Sequence, residues 1–127
     1  MSGFHTNIEK DTEDNTNFRK VLYTGKHSQL VVMSLKPQES IGLETHANVD
    51  QFLRCEEGEG KAIIDGEEIE FKEGEAVIVP AGSEHDFINT SQTEDLKLYT
   101  VYSPSNHPDG TVHATKEEAM IAEEHEH

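Results

Sequence analysis

The sequence predicts an all-β fold, a jelly roll or double-stranded β-barrel, with one short helix near its C-terminal end. Three observations lead to this prediction. Eight or more short runs rich in Val, Ile, Leu, Phe and Tyr follow one another closely, and turn residues separate them. Several of the runs alternate polar and apolar residues, as half-buried strands do. So many short strands in one small domain favour a closed or double-sheet β architecture.

The predicted strands follow one another in regular order. The first two are separated by a turn at residues 25–27, and a tight hairpin is expected at Asp65 and Gly66, because both residue types tolerate positive φ. The remaining runs are separated by short polar links. The predicted strands cover residues 20–24, 28–35, 51–57, 60–65, 67–71, 76–80, 85–90 and 96–103.

The two ends of the chain differ from its middle. Residues 1–17 are polar and aperiodic and predict a flexible N-terminal arm, followed by the barrel over residues 18–114. Thr115 and Glu118 have the spacing of a capping box ahead of an apolar patch, so residues 115–127 predict a short helix and a frayed polar tail. No linker divides the 127 residues, which are enough for one domain.

Charge and composition exclude several classes of function. The chain has 26 acidic and 10 basic residues, a formal net charge of −16. Such a chain repels phosphate backbones and anionic lipids, so we expect neither nucleic acid nor a membrane as partner. We see no spanning apolar run and no secretory leader. The single cysteine, Cys55, excludes an internal disulfide and is expected in the core, and the cytoplasm is the expected compartment.

Polar residues gather just ahead of the predicted strand at 51–57. Because side chains alternate along a strand, Glu44 and His46 face the same way, and Gln51 and Cys55 form a second same-face set. A short turn between the two sets would bring a carboxylate, an imidazole and a carboxamide together inside the sheet. Buried polar groups are costly unless something binds them. A divalent metal would satisfy them, so the segment predicts a metal site.

Two segments resemble the sequence motifs of the cupin superfamily, over about residues 20–105. The second cupin motif is matched at every fixed position, by Gly74, Pro80, Gly82, His85 and Asn89. The first motif keeps all its spacings, at Gln38, Glu44, His46, Gln51 and Gly58. The residue type differs from the motif at three fixed positions: Gln38 replaces Gly, Glu44 replaces the first His, and Gln51 replaces Glu.

The cupin resemblance implies a ligand set for one divalent ion, Zn, Mn, Fe or Ni. That set is Glu44, His46, Gln51 and His85. Two imidazoles and a carboxylate suit these metals, and open coordination positions would admit water or substrate. Glu44 and Gln51 are alternatively hydrogen-bonding groups and not ligands. The resemblance also implies a homodimer, to which Phe52, pointing away from the metal, would offer an aromatic contact.

A second polar group follows the last predicted strand. If the last two predicted strands pair as a hairpin, Tyr102 and Ser103 lie beside His85. The segment that follows then passes the mouth of the barrel and carries His107 and His113. One of these could act as an acid or base near neutral pH, and ordinary loop histidines are the alternative. We predict Tyr102 and His107 as catalytic residues.

Three functions remain open at this point. The first is a metal-dependent enzyme acting on a small polar metabolite, because the ligand composition resembles that of the zinc phosphomannose (mannose-6-phosphate) isomerases, which are also cupins. In such a site the metal polarises a carbonyl while a base moves a proton. The second is an iron or manganese dioxygenase. The third is a non-catalytic cupin that binds a metabolite.

A phosphorylated substrate would need a cationic contact that is hard to find. Arg19 and Arg54 are the only arginines, and Arg54 is expected to face away from Gln51. The phosphate contact is therefore missing or supplied by lysines. The lysines that could supply it are Lys20, Lys36 and Lys97.

Overall fold

A computed structural model describes residues 3–126 of the chain, in which ten strands and two helices form. The elements are α1 (Ile8–Asp14), β1 (Arg19–Thr24), β2 (Gln29–Leu35), β3 (Glu44–Thr45), β4 (Asp50–Glu57), β5 (Glu59–Ile64), β6 (Glu67–Lys72), β7 (Ala76–Val79), β8 (Glu84–Asn89), β9 (Leu96–Ser103), β10 (Val112–His113) and α2 (Lys116–Glu126). One sheet has six strands in the order β10-β1-β2-β9-β4-β7, and the other has four in the order β3-β8-β5-β6. All pairings are antiparallel. The predicted jelly roll is confirmed.

Strand alternation builds the core between the two sheets. Along β4 the side chains of Leu53 and Cys55 are fully buried while Phe52 and Arg54 are partly exposed. From the four-stranded sheet, Phe71 and Phe87 are fully buried and their rings meet edge to face, with centroids 5.2 Å apart. Burial of each large apolar side chain contributes about 1.5–3 kcal/mol. Cys55 belongs to this core, as predicted, and burial raises the pKa of its thiol to about 12.

Two turns depend on their backbone conformation. Asp65 and Gly66 both have positive φ, 49° and 84°, and join β5 to β6 as the predicted hairpin. Gly58 has φ +99°, and a Cβ there would lie 2.5 Å from the carbonyl oxygen of Asp95. The last fixed position of the first cupin motif is therefore a glycine because nothing larger fits.

Helix α2 begins at the predicted capping box. The Glu118 amide donates to the Thr115 hydroxyl at 3.2 Å, and the Glu118 carboxylate accepts from the backbone amides of Thr115 and Ala114 at 3.3 and 2.6 Å. These bonds satisfy amides that a helix start leaves unpaired. Ala119 is buried and anchors the first turns. The helix continues through Glu126, so most of the predicted polar tail is helical, and His127 lies outside the described residues.

The prediction of a loose N-terminal arm is wrong for residues 8–14, which form α1. Asn7 caps the helix by accepting from the amide of Lys10, and Thr12 is fully buried on the sheet side. The Lys97 ammonium on β9 donates to the carbonyl of Asn15 at 2.6 Å and ties the end of α1 to the sheet. Because these contacts are polar, no apolar periodicity marks the helix. Within the described residues, no helix is long and apolar enough to span a membrane.

The predicted hairpin between the last two long strands is also wrong. Strand β8 pairs with β3 and β5, whereas β9 pairs with β2 and β4 in the other sheet. The chain crosses between sheets after β8, because each sheet takes strands from distant parts of the chain. Ser103 is exposed and pairs with Asp50, so it is not a strand neighbour of His85. Tyr102 faces the interior instead and approaches the site from the opposite sheet.

Candidate functional site

Both sheets contribute side chains to one end of the barrel. Glu44 on β3 lies opposite His85 on β8 in the four-stranded sheet. Gln51 on β4 lies opposite Tyr102 on β9 in the six-stranded sheet, and both are buried. His46 follows β3 directly. The site is therefore assembled where the interior faces of the two sheets meet.

Backbone contacts hold the two motif segments against each other. The carbonyl of His46 accepts from the amide of Gly82 at 2.8 Å. The Asp50 carboxylate accepts from the amide of Ala81 at 2.9 Å, at the same turn. Gly82 has φ +89°, a conformation that glycine adopts without strain. The fixed glycine of the second motif thus positions the histidine of the first.

A carboxylate and two imidazoles form the inner cluster. His46 Nε2 lies 3.0 Å from Glu44 Oε2, and both side chains are partly buried. The rings of His46 and His85 have centroids 5.2 Å apart with an interplanar angle of 54°. Sequence alternation correctly predicted that Glu44 and His46 share a face, and the structure brings His85 to the same cluster.

The tautomer of His85 follows from its surroundings. Its ring is almost fully buried, and Nδ1 lies 3.0 Å from the carbonyl oxygen of Ser83. A carbonyl can only accept, so a neutral His85 donates from Nδ1 and keeps the lone pair of Nε2 free. Metal-ligating histidines are commonly held in this way through their second nitrogen.

Gln51 carries an unsatisfied oxygen. Its side chain is 3% exposed, and its amide nitrogen donates to the hydroxyl of Thr100 at 3.1 Å. Its Oε1 is buried and has no hydrogen-bond partner. Leaving such an acceptor unpaired costs about 1–3 kcal/mol. A bound cation or a donor group on a ligand would remove that cost.

The donor set suits a divalent metal, although its members are not gathered around a common point. Among the residues that the structure describes, no three His, Cys, Asp or Glu side chains lie close enough together to hold an ion. Glu44 and His46 contact each other, at a separation that two ligands of one ion can also have. The set of Glu44, His46, Gln51 and His85 therefore stays a prediction. Its chemistry fits, since Gln51 Oε1 and His85 Nε2 are available acceptors.

Tyr102 and His107 form a second pair beside this cluster. Tyr102 Oη lies 3.4 Å from His107 Nε2, and its ring centroid lies 6.2 Å from that of His46. Burial raises the pKa of the Tyr102 phenol, so it keeps its proton. Burial, with the nearby charges of Arg19 and other histidines, lowers the pKa of His107 to about 3. His107 is then neutral at pH 7, and the expectation that one of His107 and His113 acts as an acid or base stays a prediction.

The loop after β9 is pinned to the barrel at His107. The side chain of Gln29, fully buried on β2, donates to the carbonyl of His107 at 2.7 Å and accepts from its amide at 3.0 Å. This double contact holds the His107 ring against Tyr102. His113 lies further on, in β10, where it pairs with Arg19 of β1.

Arg19 is the residue of this region that sequence reasoning missed. It is 2% exposed, and its positive charge partly opposes the burial that raises the pKa of Tyr102 and adds to the burial that lowers the pKa of His107. Its position two residues before buried Val21 was the available signal, since alternation puts the two on one face. Of the lysines considered instead, Lys97 bonds to the α1 end of the chain and does not serve the site.

Comparisons with known proteins agree with this architecture. Residues 31–102 match the family described as the cupin domain. The uncharacterized protein YrkC of Bacillus subtilis (strain 168) is 49% identical, over 95% of this chain and 68% of the relative. The crystal structure of BH2720 from Bacillus halodurans is 44% identical with a TM-score of 0.91, over 93% of each chain. A predicted oxalate decarboxylase from Thermotoga maritima is 28% identical with a TM-score of 0.58, over 63% of this chain and 69% of that one.

Proposed function

The chain belongs to the cupin domain family, and from that membership we propose that it is a metal-dependent enzyme acting on a small polar metabolite. The observation that carries the proposal is the buried, unpartnered Oε1 of Gln51 on the interior face that meets the histidine cluster. A purely structural glutamine in a core strand would be expected to satisfy both ends of its amide. An acceptor left open at a predicted ligand position supports a bound cation.

The proposed ligands are His46, His85, Glu44 and Gln51, and the ion is of the zinc, manganese, iron or nickel type. When bound, such an ion polarises a substrate oxygen and lowers the pKa of coordinated water. The chain itself supplies the orientation. The Ser83 carbonyl fixes the His85 ring, and the Gly82 amide fixes the backbone of His46.

The neighbouring side chains suit redox-neutral chemistry on an oxygen-bearing substrate. Tyr102 holds its proton and His107 is neutral, so the pair can donate to or accept from a substrate hydroxyl without taking a charge. We therefore favour an isomerase-like proton shift on a small polar metabolite, such as a sugar, over oxygen chemistry.

The metal is tested first, by elemental analysis of protein stripped with EDTA and reloaded with zinc or manganese. We expect wild type to bind one equivalent, and His46→Ala and His85→Ala each to weaken binding by roughly tenfold or more. His27→Ala is the matched control, because His27 is exposed and lies between β1 and β2, outside the ligand set. Full stoichiometry in both site variants would show that the site is elsewhere.

A non-catalytic metabolite-binding cupin is the second candidate. It is favoured by the lowered pKa of His107, because a histidine that stays neutral down to about pH 3 is a poor general base at pH 7. The assays are aldose–ketose interconversion by the zinc or manganese form, and oxygen uptake by the iron form over sugars, phenols and diketones. Isomerisation supports the first proposal, oxygen uptake abolished by Glu44→Ala supports a dioxygenase, and silence in both supports the binding protein.

A further inference from the structure

Arg19 is a buried cation that the metal site does not use. It begins β1, is 2% exposed, and its guanidinium lies 5.4 Å from the centroid of the Phe18 ring. Its charge acts on Tyr102 and His107, so it lies near that pair. Burying a guanidinium costs several kcal/mol unless an anion and hydrogen bonds compensate it.

The compensation present in the structure is incomplete. Glu123 of α2 is the carboxylate that pairs with Arg19, with Oε1 3.4 Å from a terminal nitrogen, longer than the 2.7–2.9 Å of a strong charge-assisted bond. The Glu123 side chain is 42% exposed, so water competes for it. The Nε of Arg19 is buried and has no hydrogen-bond partner. A guanidinium can hold a carboxylate through two parallel bonds, and among the residues that the structure describes the Arg19 guanidinium contacts a carboxylate once, at 3.4 Å.

We propose that Arg19 is the anion-binding residue of the site and that its ligand is a small carboxylate, whose place Glu123 holds when no ligand is bound. The inference rests on the proposed function, because it names the class of substrate for that same site. A carboxylate is the group already in contact with Arg19. An anionic ligand also needs a buried positive charge here, because the chain carries a net charge of −16.

Exchange of Glu123 for a ligand needs little movement of the fold. The start of α2 is held by the capping box at Thr115 and by buried Ala119. Glu123 lies about two turns further along the helix with a half-exposed side chain. Its rotation into solvent opens Nη1 of Arg19 to a ligand carboxylate, and the unpartnered Nε is a further donor that a ligand could satisfy.

The test measures anion binding to EDTA-treated protein by calorimetry, with malonate, acetate and inorganic phosphate at constant ionic strength. We expect malonate and acetate to bind to the wild type. Arg19→Gln should bind them roughly tenfold or more weakly, and Glu123→Gln roughly tenfold more tightly. Tenfold is the ratio expected for one charge-assisted hydrogen bond. Glu124→Gln is the matched control, because Glu124 is the exposed neighbour on α2. Its affinity should stay within about twofold, as expected for a screened surface charge.

The outcomes separate this inference from its alternatives. If Glu123→Gln and Glu124→Gln bind alike, Glu123 only fastens α2 to the barrel and the proposal is overturned. Phosphate binding tighter than malonate through Arg19 would overturn the assignment to a carboxylate. Should Arg19→Gln prove unfolded by circular dichroism, Arg19→Lys decides, because it keeps the charge without the fork and must bind several-fold more weakly. Because metal is absent throughout, failure of the metal site leaves these results unaffected.

Discussion

His107 makes the stability of this fold depend on pH. Its folded-state pKa of about 3 lies below the ordinary value of 6.5, chiefly because of burial and then because of the positive charge of Arg19. His113 and His46 act in the same direction, and Tyr102 offers it a hydroxyl and no negative charge. The folded protein therefore holds His107 neutral, while the unfolded chain takes up a proton below about pH 6.5.

The sign and the size of the effect follow from this difference. The contribution of neutral His107 to the free energy of unfolding is complete above pH 6.5. It is lost as the pH falls towards 3, by about 1.4 kcal/mol for each pH unit well below 6.5. At pH 5 the loss for a fully shielded histidine is about 2 kcal/mol. His107 is partly exposed, so we expect about 1–2 kcal/mol.

The assay is urea unfolding of the EDTA-treated protein at pH 7.5 and pH 5.0. Groups other than His107 titrate in wild type and variant alike. The comparison is therefore the difference in free energy of unfolding between wild type and His107→Asn at each pH. We expect the stability of wild type to fall by about 1–2 kcal/mol more than that of His107→Asn. His27→Asn is the control, because it removes an exposed histidine. Equal losses in wild type and His107→Asn would refute the reasoning.

Four further predictions concern other parts of the molecule. Gln38 has φ 67° where the cupin motif has glycine, so Gln38→Gly should be about 1 kcal/mol more stable than Gln38→Ala in urea unfolding; equal stabilities would contradict this. Thr115→Ala removes the cap of α2 and should cost about 1 kcal/mol by the same assay, whereas no change would mean that the Glu118 carboxylate caps the helix alone. Cys55, buried with a pKa of about 12, should react with a thiol reagent only on unfolding, and rapid labelling of native protein would contradict its core position. Light scattering should give a mass of twice the 14.2 kDa chain for the wild type. Ile78 lies beside Phe52 on the outer face of the sheet, and Ile78→Asp should give the mass of a monomer. A monomeric wild type would contradict the dimer prediction.

The long strands were predictable because each carries its own signal. Alternation along 51–55 reports which side of the sheet is buried, whereas in β6 the alternating pattern is matched only at Phe71, because Ile69 is exposed. The Asp65-Gly66 dipeptide fixes a hairpin by itself. Strands β3 and β10 have two residues each, too few to show any period. Helix α1 was missed because its buried residue is a threonine and its anchors are polar.

The proximity of Glu44, His46 and His85 was predictable from sequence, whereas the arrangement of the side chains around them was not. Motif spacing predicted His46 and His85 because fixed turns, such as the one at Gly82, deliver them to one end of the barrel. The approach of Tyr102 from the sheet opposite His85 was not predictable. Strands that follow each other in the sequence need not pair when the chain crosses between sheets. The surroundings of Arg19 depend on packing that no local pattern encodes.

The pairing of Arg19 with Glu123 joins residues 104 positions apart. Arg19 also pairs in register with His113 on β10, so its surroundings are completed by segments that enter the fold far from it along the chain. Contacts of such long sequence separation form late, because loop closure must precede them. During refolding, carboxylate binding at Arg19 should therefore return with the slowest kinetic phase, after burial of Phe71 and Phe87 is complete. A nascent chain still on the ribosome would form its barrel strands before it could bind a carboxylate at Arg19.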